Sequence, residues 1–158
     1  MRYTLSQAQA CARIIKAAAT IPVAAYVFGS CTNEWGGSDV DLMFEVDTES
    51  FGDYLESSHL DGVHPHLKGV DDPDDMYWLY FSPKKERSKA VLETIGINIR
   101  NFGNELEKIV SLKDVDLICL PSDWRDRDGS ARKRLDEMVS GNDPEFFIKL
   151  EQTAQLVE

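Results

Sequence analysis

Two aspartates, Asp39 and Asp41, stand one residue apart at the start of the apolar run VDLMFEV. In an extended strand, residues two apart point to the same side, so we expect these carboxylates to project together. Two carboxylates a few ångströms apart repel each other unless a cation sits between them. Mg²⁺ suits such a pair, because it binds one or two carboxylates together with phosphate oxygens and water. The spacing therefore predicts a magnesium site.

A third acid, Asp116, lies within DVDLICL, whose apolar residues predict a buried strand on which an acid needs a reason to exist. The same period of two places Asp114 on the same side, at the exposed beginning of that strand. We prefer Asp116, because it is embedded more deeply in the apolar run. The sequence thus offers Asp116 as a third metal ligand and Asp114 as its alternative.

A Gly-Ser pair, Gly29 and Ser30, follows the apolar run that precedes these aspartates. A glycine after a strand lets the backbone approach a ligand closely. A serine at the N-terminus of a following helix donates to phosphate oxygens together with backbone N–H groups. Only a short loop separates Ser30 from Asp39, so the sequence predicts a phosphate site beside the metal site.

Local patterns predict the elements that must hold these residues. Thr4 and Gln7 fit a capping box, and apolar residues then recur at helical spacing, so a helix precedes the first strand. VAAYVF and VDLMFEV are β-prone runs and should be neighbouring strands, and MYWLYF and VDLICL are predicted as two more. Further helices are expected at about 50–60, at about 82–95, in GNELEKIV, at about 130–139 and at about 144–156.

The composition is that of one globular domain, with 158 residues of which 42% are hydrophobic and 28% charged. No apolar run approaches about 18 residues and no signal-peptide pattern is seen, so we expect a cytoplasmic protein without a membrane span. Cys11, Cys31 and Cys119 are widely spaced and odd in number, which favours reduced, structural cysteines. The net charge of −11 disfavours nucleic acid as a partner, because its phosphates would be repelled.

In the order of its motifs the chain resembles the DNA polymerase β-like nucleotidyltransferase superfamily, and by its length the minimal members. The family pattern is an apolar strand ending in Gly-Ser, then D-x-D on the next strand, then a third acid on a further strand. It is matched by Phe28-Gly29-Ser30, Ser38-Asp39-Val40-Asp41-Leu42 and Val115-Asp116-Leu117. The resemblance implies an α/β (α+β) fold, a small mixed β-sheet flanked by helices, in a single domain over 1–158. The stretch between the second and third acids exceeds what a minimal member needs, so an insert is expected within about 61–110.

The resemblance also implies an activity: transfer of a nucleoside monophosphate, AMP from ATP, to a hydroxyl acceptor with release of pyrophosphate. Asp39, Asp41 and Asp116 would be the catalytic acids and the ligands of two Mg²⁺ ions, with Mn²⁺ as the alternative ion. Asp116 would also take the acceptor proton as general base. The acceptor would be a protein or a small molecule.

The phosphate-binding residues implied by the resemblance are Gly29, Ser30 and Ser38. Positive charge would come from the later half of the chain, where one arginine would neutralise the pyrophosphate. The candidates are Arg125, Arg127 and Arg132.

A second hypothesis comes from the segment after Ser30, where many small members carry an arginine and this chain has Cys31, Thr32, Asn33 and Glu34. That departure and the overall acidity favour a nucleotide-binding regulatory or antitoxin-like module with a toxin-type partner protein. The three acids favour catalysis, because an idle site has no reason to keep mutually repelling carboxylates.

Other residues with chemical potential have simpler interpretations. His64 and His66 flank a proline and are interpreted as solvated loop residues rather than a metal pair. Trp35 and Trp124 are interpreted as packing residues of the core or its rim rather than as a platform for a base.

Overall fold

The computed structural model describes residues 2–20, 22–47, 79–81, 102–129, 132–133 and 145–158, with the backbone alone at 79–81. Its helices are α1 (Leu5–Ala18), α2 (Gly103–Glu107) and α3 (Phe146–Thr153). Its strands are β1 (Val23–Phe28), β2 (Val40–Val46), β3 (Leu79–Phe81), β4 (Val115–Pro121) and β5 (Gln155–Val157). Short 3₁₀ turns at Gly29–Thr32 and Leu112–Asp114 follow β1 and precede β4.

Helix α1 begins at the predicted capping box. Thr4 Oγ1 accepts the backbone N–H of Gln7 at 3.2 Å, and Gln7 Oε1 accepts the backbone N–H of Thr4 at 2.8 Å. These two bonds satisfy N–H groups that a helix start leaves without an internal partner. The helix buries one face, which carries Ala8, Cys11, Ala12 and Ile15, against the sheet.

The strands form one mixed sheet in the order β3-β4-β2-β1-β5. β1 pairs antiparallel with β2 and with β5, whereas β2 pairs parallel with β4, and β3 pairs antiparallel with β4. Because β2 runs parallel to β4 and antiparallel to β1, the first residues of β2 and β4 lie at the same end of the sheet as the last residues of β1. Residues from three separate parts of the sequence therefore meet at that end of the strands.

Side chains alternate along the strands and form apolar clusters on the two faces of the sheet. The first cluster lies under α1 and α2 and includes Val27, Leu42 and Leu117. The second lies under α3 and the segment after β4, and it contains Met43, Ile118, Leu120, Trp124, Phe147 and Leu150. Asp41 and Asp116 alternate with residues of the first cluster, so they belong to the second face.

The structure confirms a mixed α/β class and the predicted strands VAAYVF, VDLMFEV and VDLICL. The strand predicted in MYWLYF is confirmed over Leu79–Phe81. The helix predicted at about 144–156 is wrong at its end, because Ala154 is extended and Gln155–Val157 pairs with β1 instead. The pairing partner is distant in sequence, so local periodicity carried no sign of it.

Helix α2 is also shorter than the predicted GNELEKIV helix and ends at Glu107. The helices predicted at 50–60 and 82–95, nearly all of the one at 130–139 and most of the insert expected within 61–110 lie outside the described residues. In the part of the chain that the structure describes, every helix is too short or too polar to cross a membrane.

Candidate active site

Asp41 and Asp116 occupy matching positions on the adjacent parallel strands β2 and β4. Each is the second residue of its strand, and each is partly buried. Register partners on neighbouring strands lie about 4.8 Å apart in the hydrogen-bonding direction and project from the same face of the sheet. The two carboxylates that the sequence placed far apart are therefore brought side by side.

The turn after β1 lies directly against Asp41. Phe28, the last residue of β1, is the register partner of Asp41 on the other side of β2. Gly29 follows with a φ of +75°, and a Cβ added to it would lie only 2.2 Å from Asp41 Oδ2. Glycine is required at this position for two reasons. Its backbone conformation is left-handed, and the Asp41 carboxylate occupies the space that a side chain would need. The Gly-Ser turn and the acid pair thus form one site.

Ser30 is held close to the second glycine of the Gly36-Gly37 pair. A Cβ on Gly37 would lie 2.0 Å from Ser30 Oγ, so the serine hydroxyl is packed against that backbone. The backbone of Gly37 is itself bonded to Tyr3, since Tyr3 N donates to Gly37 O at 2.7 Å and Gly37 N donates to Tyr3 O at 3.0 Å. The position of Ser30 is therefore set by a loop that is tied to the start of α1.

Asp39 differs from the prediction, because β2 begins at Val40 and Asp39 lies in the exposed bend before it. Its carbonyl accepts a hydrogen bond from the buried thiol of Cys31, with Sγ and O 2.9 Å apart. Burial raises the pKa of that thiol, and the nearby negative charges of Asp41 and Asp39 raise it further, against a lowering backbone hydrogen bond from Gly37. Both acids therefore lie near Cys31, although they do not share one strand. Ser38 lies in the same exposed bend.

The predicted cluster of three acids is not assembled as a metal centre in the described residues. Among them, no group of three or more His, Cys, Asp or Glu side chains stands close enough to hold an ion. The pair Asp41 and Asp116 nevertheless fits Mg²⁺, which uses one or two carboxylates and completes its octahedron with phosphate oxygens and water. The carboxylate of Asp41 is packed against the Gly29 backbone of the turn.

Asp114, the alternative to Asp116, has a different role. Tyr3 Oη donates to Asp114 Oδ2 at 2.7 Å, and Ser111 N donates to Tyr3 Oη at 3.3 Å. The hydrogen bond to Asp114 is the main cause of a raised Tyr3 pKa. Asp114 therefore joins the 3₁₀ turn before β4 to the segment that precedes α1, whereas Asp116 lies beside Asp41 on β4.

A cavity of about 380 Å³ lies between the Gly-Ser turn and helix α3. One wall is formed by the turn and includes Phe28, Gly29 and Asn33, and the other is formed by α3. The residues of α3 in this wall are Phe146, Lys149, Leu150 and Thr153. The wall thus combines apolar surface with a lysine one helical turn before a threonine, whose Oγ1 donates to Lys149 O at 2.7 Å.

No family model, curated protein or solved structure matches this chain.

Lys149 is the residue of this site that the sequence analysis missed. It is largely exposed, and its Nζ lies 4.0 Å from a carboxylate oxygen of Glu145, one helical turn earlier. A single lysine on an amphipathic C-terminal helix carries no motif, and only the packing of α3 beside Gly29 reveals it. The clue available in sequence was weak: a basic residue on a helix whose apolar face must pack on the sheet.

The three arginines proposed for pyrophosphate pair with carboxylates of the described residues, and none of them lines the cavity beside Gly29. Arg125 pairs with Glu45, with Nε 3.0 Å from Oε1. Glu45 lies four residues beyond Asp41 on β2, which is roughly 13 Å along a strand. Arg127 pairs with Glu151 at 2.9 Å, and Arg132 is bonded to the same carboxylate. In the described part of the chain, these three arginines thus form ion pairs with Glu45 and Glu151.

The two tryptophans considered above behave differently from each other. Trp124 is completely buried, its Nε1 donates to Glu45 Oε1 at 3.0 Å, and Arg125 lies over its ring. Trp35 is 77% exposed, so its interpretation as a packing residue is wrong. The turn that carries it is fixed by Gly36, whose N–H donates to Asn33 O at 3.0 Å. His64 and His66 lie outside the described residues.

Proposed function

We propose that the protein is a metal-dependent nucleotidyltransferase that moves a nucleoside monophosphate, AMP from ATP, to a hydroxyl acceptor and releases pyrophosphate. The observation that carries this proposal is the register of β2 and β4, which pairs Asp41 with Asp116 next to the Gly29–Ser30 turn. A strand ending in Gly-Ser, the D-x-D motif of Asp39 and Asp41, and a third acid at Asp116 are the features for which the chain resembles the polymerase β-like enzymes.

Asp41 and Asp116 would hold Mg²⁺, with Mn²⁺ as the alternative ion, and Asp39 lies in the bend one residue before β2. When bound, the ion would neutralise charge on the phosphates and on the oxygens that enter and leave. The carboxylates supply the affinity, because two like charges in matching positions are relieved by a shared cation. A nucleoside triphosphate would complete the site by contributing phosphate oxygens.

The phosphates would be bound by the turn after β1 and by α3. Ser30 Oγ and the backbone N–H groups of Gly29–Thr32 are donors at this position, and such groups bind phosphate oxygens at the start of a helical turn. Lys149 lies across a cavity from Gly29 and Thr32 of that turn and would add a positive charge there. The apolar residues Phe28, Phe146 and Leu150 offer surface to the nucleoside.

In the transfer step, the acceptor oxygen forms a bond to the α-phosphorus while the bond from that phosphorus to the bridging oxygen of the β-phosphate breaks. Pyrophosphate leaves, and Asp116 takes the proton of the acceptor hydroxyl as general base. Ser30 and Lys149 stabilise charge that moves onto the leaving phosphates. The acceptor would be a protein or small-molecule hydroxyl, because a chain with a net charge of −11 repels nucleic acid.

The cysteines support a reducing, cytoplasmic setting for this reaction. Cys11, Cys31 and Cys119 are free and buried. Burial raises the pKa of Cys11 to about 12, so this thiol remains protonated and unreactive.

The test uses purified protein, Mg²⁺ and ATP labelled at the α- or the γ-phosphate, incubated with protein and small-molecule fractions of a cell extract. We expect the α-label to enter one fraction and the γ-label to appear in pyrophosphate. The double variant Asp41→Asn/Asp116→Asn should neither transfer the α-label nor release labelled pyrophosphate. The matched control Asp114→Asn should do both. Absence of nucleotide binding by the parent protein would overturn the proposal.

A regulatory nucleotide-binding module is the second candidate, and one observation favours it. The described residues bring two acids together rather than three, and two-ion chemistry needs more ligands than a bound nucleotide does. The same experiment separates the candidates, because a module would bind ATP with Mg²⁺ and leave the α-label on the nucleotide in every fraction.

A further inference from the structure

Helix α3 carries two different sets of side chains on two of its faces. Residues of an α-helix are about 100° apart around its axis, so Lys149 and Thr153 share one side while Glu151 points roughly 200° away from Lys149. The first side lines the cavity beside Gly29. The side that carries Phe147 and Glu151 lies toward the segment after β4, where Phe147 packs near Trp124.

Glu151 is the charged attachment of α3 to that segment. Its Oε1 accepts from Arg132 Nη1, and its Oε2 accepts from Arg127 Nη2 at 2.9 Å. Burial raises the Glu151 pKa, but the hydrogen bonds and charges of Arg132 and Arg127 outweigh burial and lower it overall. The carboxylate is therefore charged and holds two cations of one segment.

Arg132 makes this attachment rigid, because its residue surface is only 1% exposed. Its guanidinium lies over the ring of Trp124 at 5.6 Å from the ring centroid, and Nη1 is 3.5 Å from Trp124 O. A guanidinium so deeply buried requires a charged partner, and Glu151 supplies one. The orientation of α3 about its own axis is thereby tied to a residue of the sheet's second apolar cluster.

Helix α3 has eight residues and would not be stable alone, so its position comes from these contacts. We propose that Glu151 is a positioning residue for the nucleotide site: held by Arg132 and Arg127, it sets the rotation of α3 and so keeps Lys149 beside the Gly29–Ser30 turn. This inference rests on the proposed function, since it assigns the partner of Lys149 as a nucleotide phosphate.

The experiment measures the Kd of ATP with Mg²⁺ for the full chain, by titration calorimetry, at a temperature where circular dichroism shows each variant folded. Glu151→Gln should raise the Kd about tenfold, because a contact group misplaced by about 1 Å costs up to about a hundredfold. At saturating ATP the transfer rate should also fall, because a displaced Lys149 no longer stabilises charge on the leaving phosphates. Gln152→Ala, an exposed neighbour on α3, is the matched control and should leave the Kd unchanged.

A double-substitution cycle decides whether Glu151 acts through Lys149. If it does, Lys149→Ala with Glu151→Gln should weaken ATP binding no more than Lys149→Ala alone, because the lysine side chain that Glu151 positions is already absent. Additive losses would overturn the inference, as would a lower melting temperature of Glu151→Gln with an unchanged Kd.

Should Glu151→Gln fail to fold, Arg127→Ala replaces it, because Arg127 is largely exposed and its removal leaves the Arg132 bond in place. A rise of about twofold to threefold in Kd then supports the inference, since exposed ion pairs contribute up to about 1 kcal/mol, and no rise overturns it. If the parent protein binds no ATP, the proposed function fails first. If the parent binds ATP and these variants bind equally well, only the positioning role fails.

Discussion

Asp41 and Asp116 are direct register partners on parallel strands, whereas Asp114, two residues before Asp116, is bonded to Tyr3. One short sequence, DVD, therefore holds an acid of the candidate site and an acid of the scaffold. This difference provides an internal control that requires no other protein, because the same chemical change can be made at both positions.

We predict that Asp41→Asn and Asp116→Asn leave the metal-free protein as stable as the parent or slightly more stable, because each removes one of two repelling charges. Both should lose the stabilisation by Mg²⁺ with ATP, which is about 2.7 kcal/mol at a hundred times Kd. Asp114→Asn should behave in the opposite way, with a lower free energy of unfolding and normal stabilisation by ligand. Urea unfolding with and without ligand measures all three.

Gly29→Ala should damage fold and site together. The left-handed backbone at Gly29 costs about 1 to 2 kcal/mol for a residue with a Cβ, and the new methyl group meets Asp41 Oδ2. Gly103→Ala is the control, because no atom of the described residues outside its own helix and chain neighbours lies within 4 Å of its added Cβ. We expect lower stability and loss of Mg²⁺ and ATP binding for the first change only. Normal ATP binding by Gly29→Ala would remove the turn from the site.

Ser30→Ala tests the phosphate site by itself. The hydroxyl would donate to a charged phosphate oxygen, so its removal should weaken ATP binding by about 1.5 to 3 kcal/mol. The fold should persist, because alanine fits the space that Ser30 occupies beside Gly37. A large fall in melting temperature with unchanged ATP affinity would make Ser30 a turn residue only.

The Tyr3 pKa predicts a pH dependence at the alkaline end. The hydrogen bond to Asp114 raises this pKa above its ordinary value of 10.0, so the folded protein holds the phenol proton more tightly than the unfolded chain. The resulting stability is complete below pH 10 and is lost as pH rises through the folded-state pKa. The difference in unfolding free energy between the parent and Tyr3→Phe should therefore shrink above pH 10. A difference that stays constant from pH 8 to 11 would contradict this assignment.

Glu45 should matter more for stability than the arginine it pairs with. It accepts from Trp124 Nε1 and from Arg125 Nε, each at 3.0 Å. Glu45→Ala leaves the buried indole N–H without this acceptor, at a cost of about 1 to 3 kcal/mol. Arg125→Ala removes a partly exposed ion pair, worth up to about 1 kcal/mol. Denaturant midpoints that fall more for Arg125→Ala would reverse this order.

Much of the fold could be predicted because short, local sequence patterns determine its helices and strands. The Thr4 and Gln7 capping box marks the start of α1, and the apolar runs of β1, β2 and β4 match their strands. What could not be predicted depends on distant partners. The pairing of Gln155–Val157 with β1 replaces a helix, and the burial of Arg132 depends on Glu151 and Trp124.

The residues of the candidate site were likewise predictable from the sequence only in part. The spacing of two predicted that Asp39 and Asp41 project together from one strand, and the preference for Asp116 over Asp114 agrees with the register of Asp41 and Asp116. Asp39 instead lies one residue before β2, in an exposed bend where its carbonyl accepts a hydrogen bond from Cys31. Lys149 had no pattern at all, since its place beside Gly29 depends on how α3 packs.

The two walls of the cavity come from Phe28–Asn33 and from α3, which lie near opposite ends of the described chain. Closing so long a loop carries an entropy cost that must be met before its contacts form, and folds with distant contacts mature slowly. During synthesis, β1 and β2 leave the ribosome long before α3 does. Until α3 has emerged, the growing chain therefore presents Phe28, Gly29 and Asn33 without the second wall of this cavity.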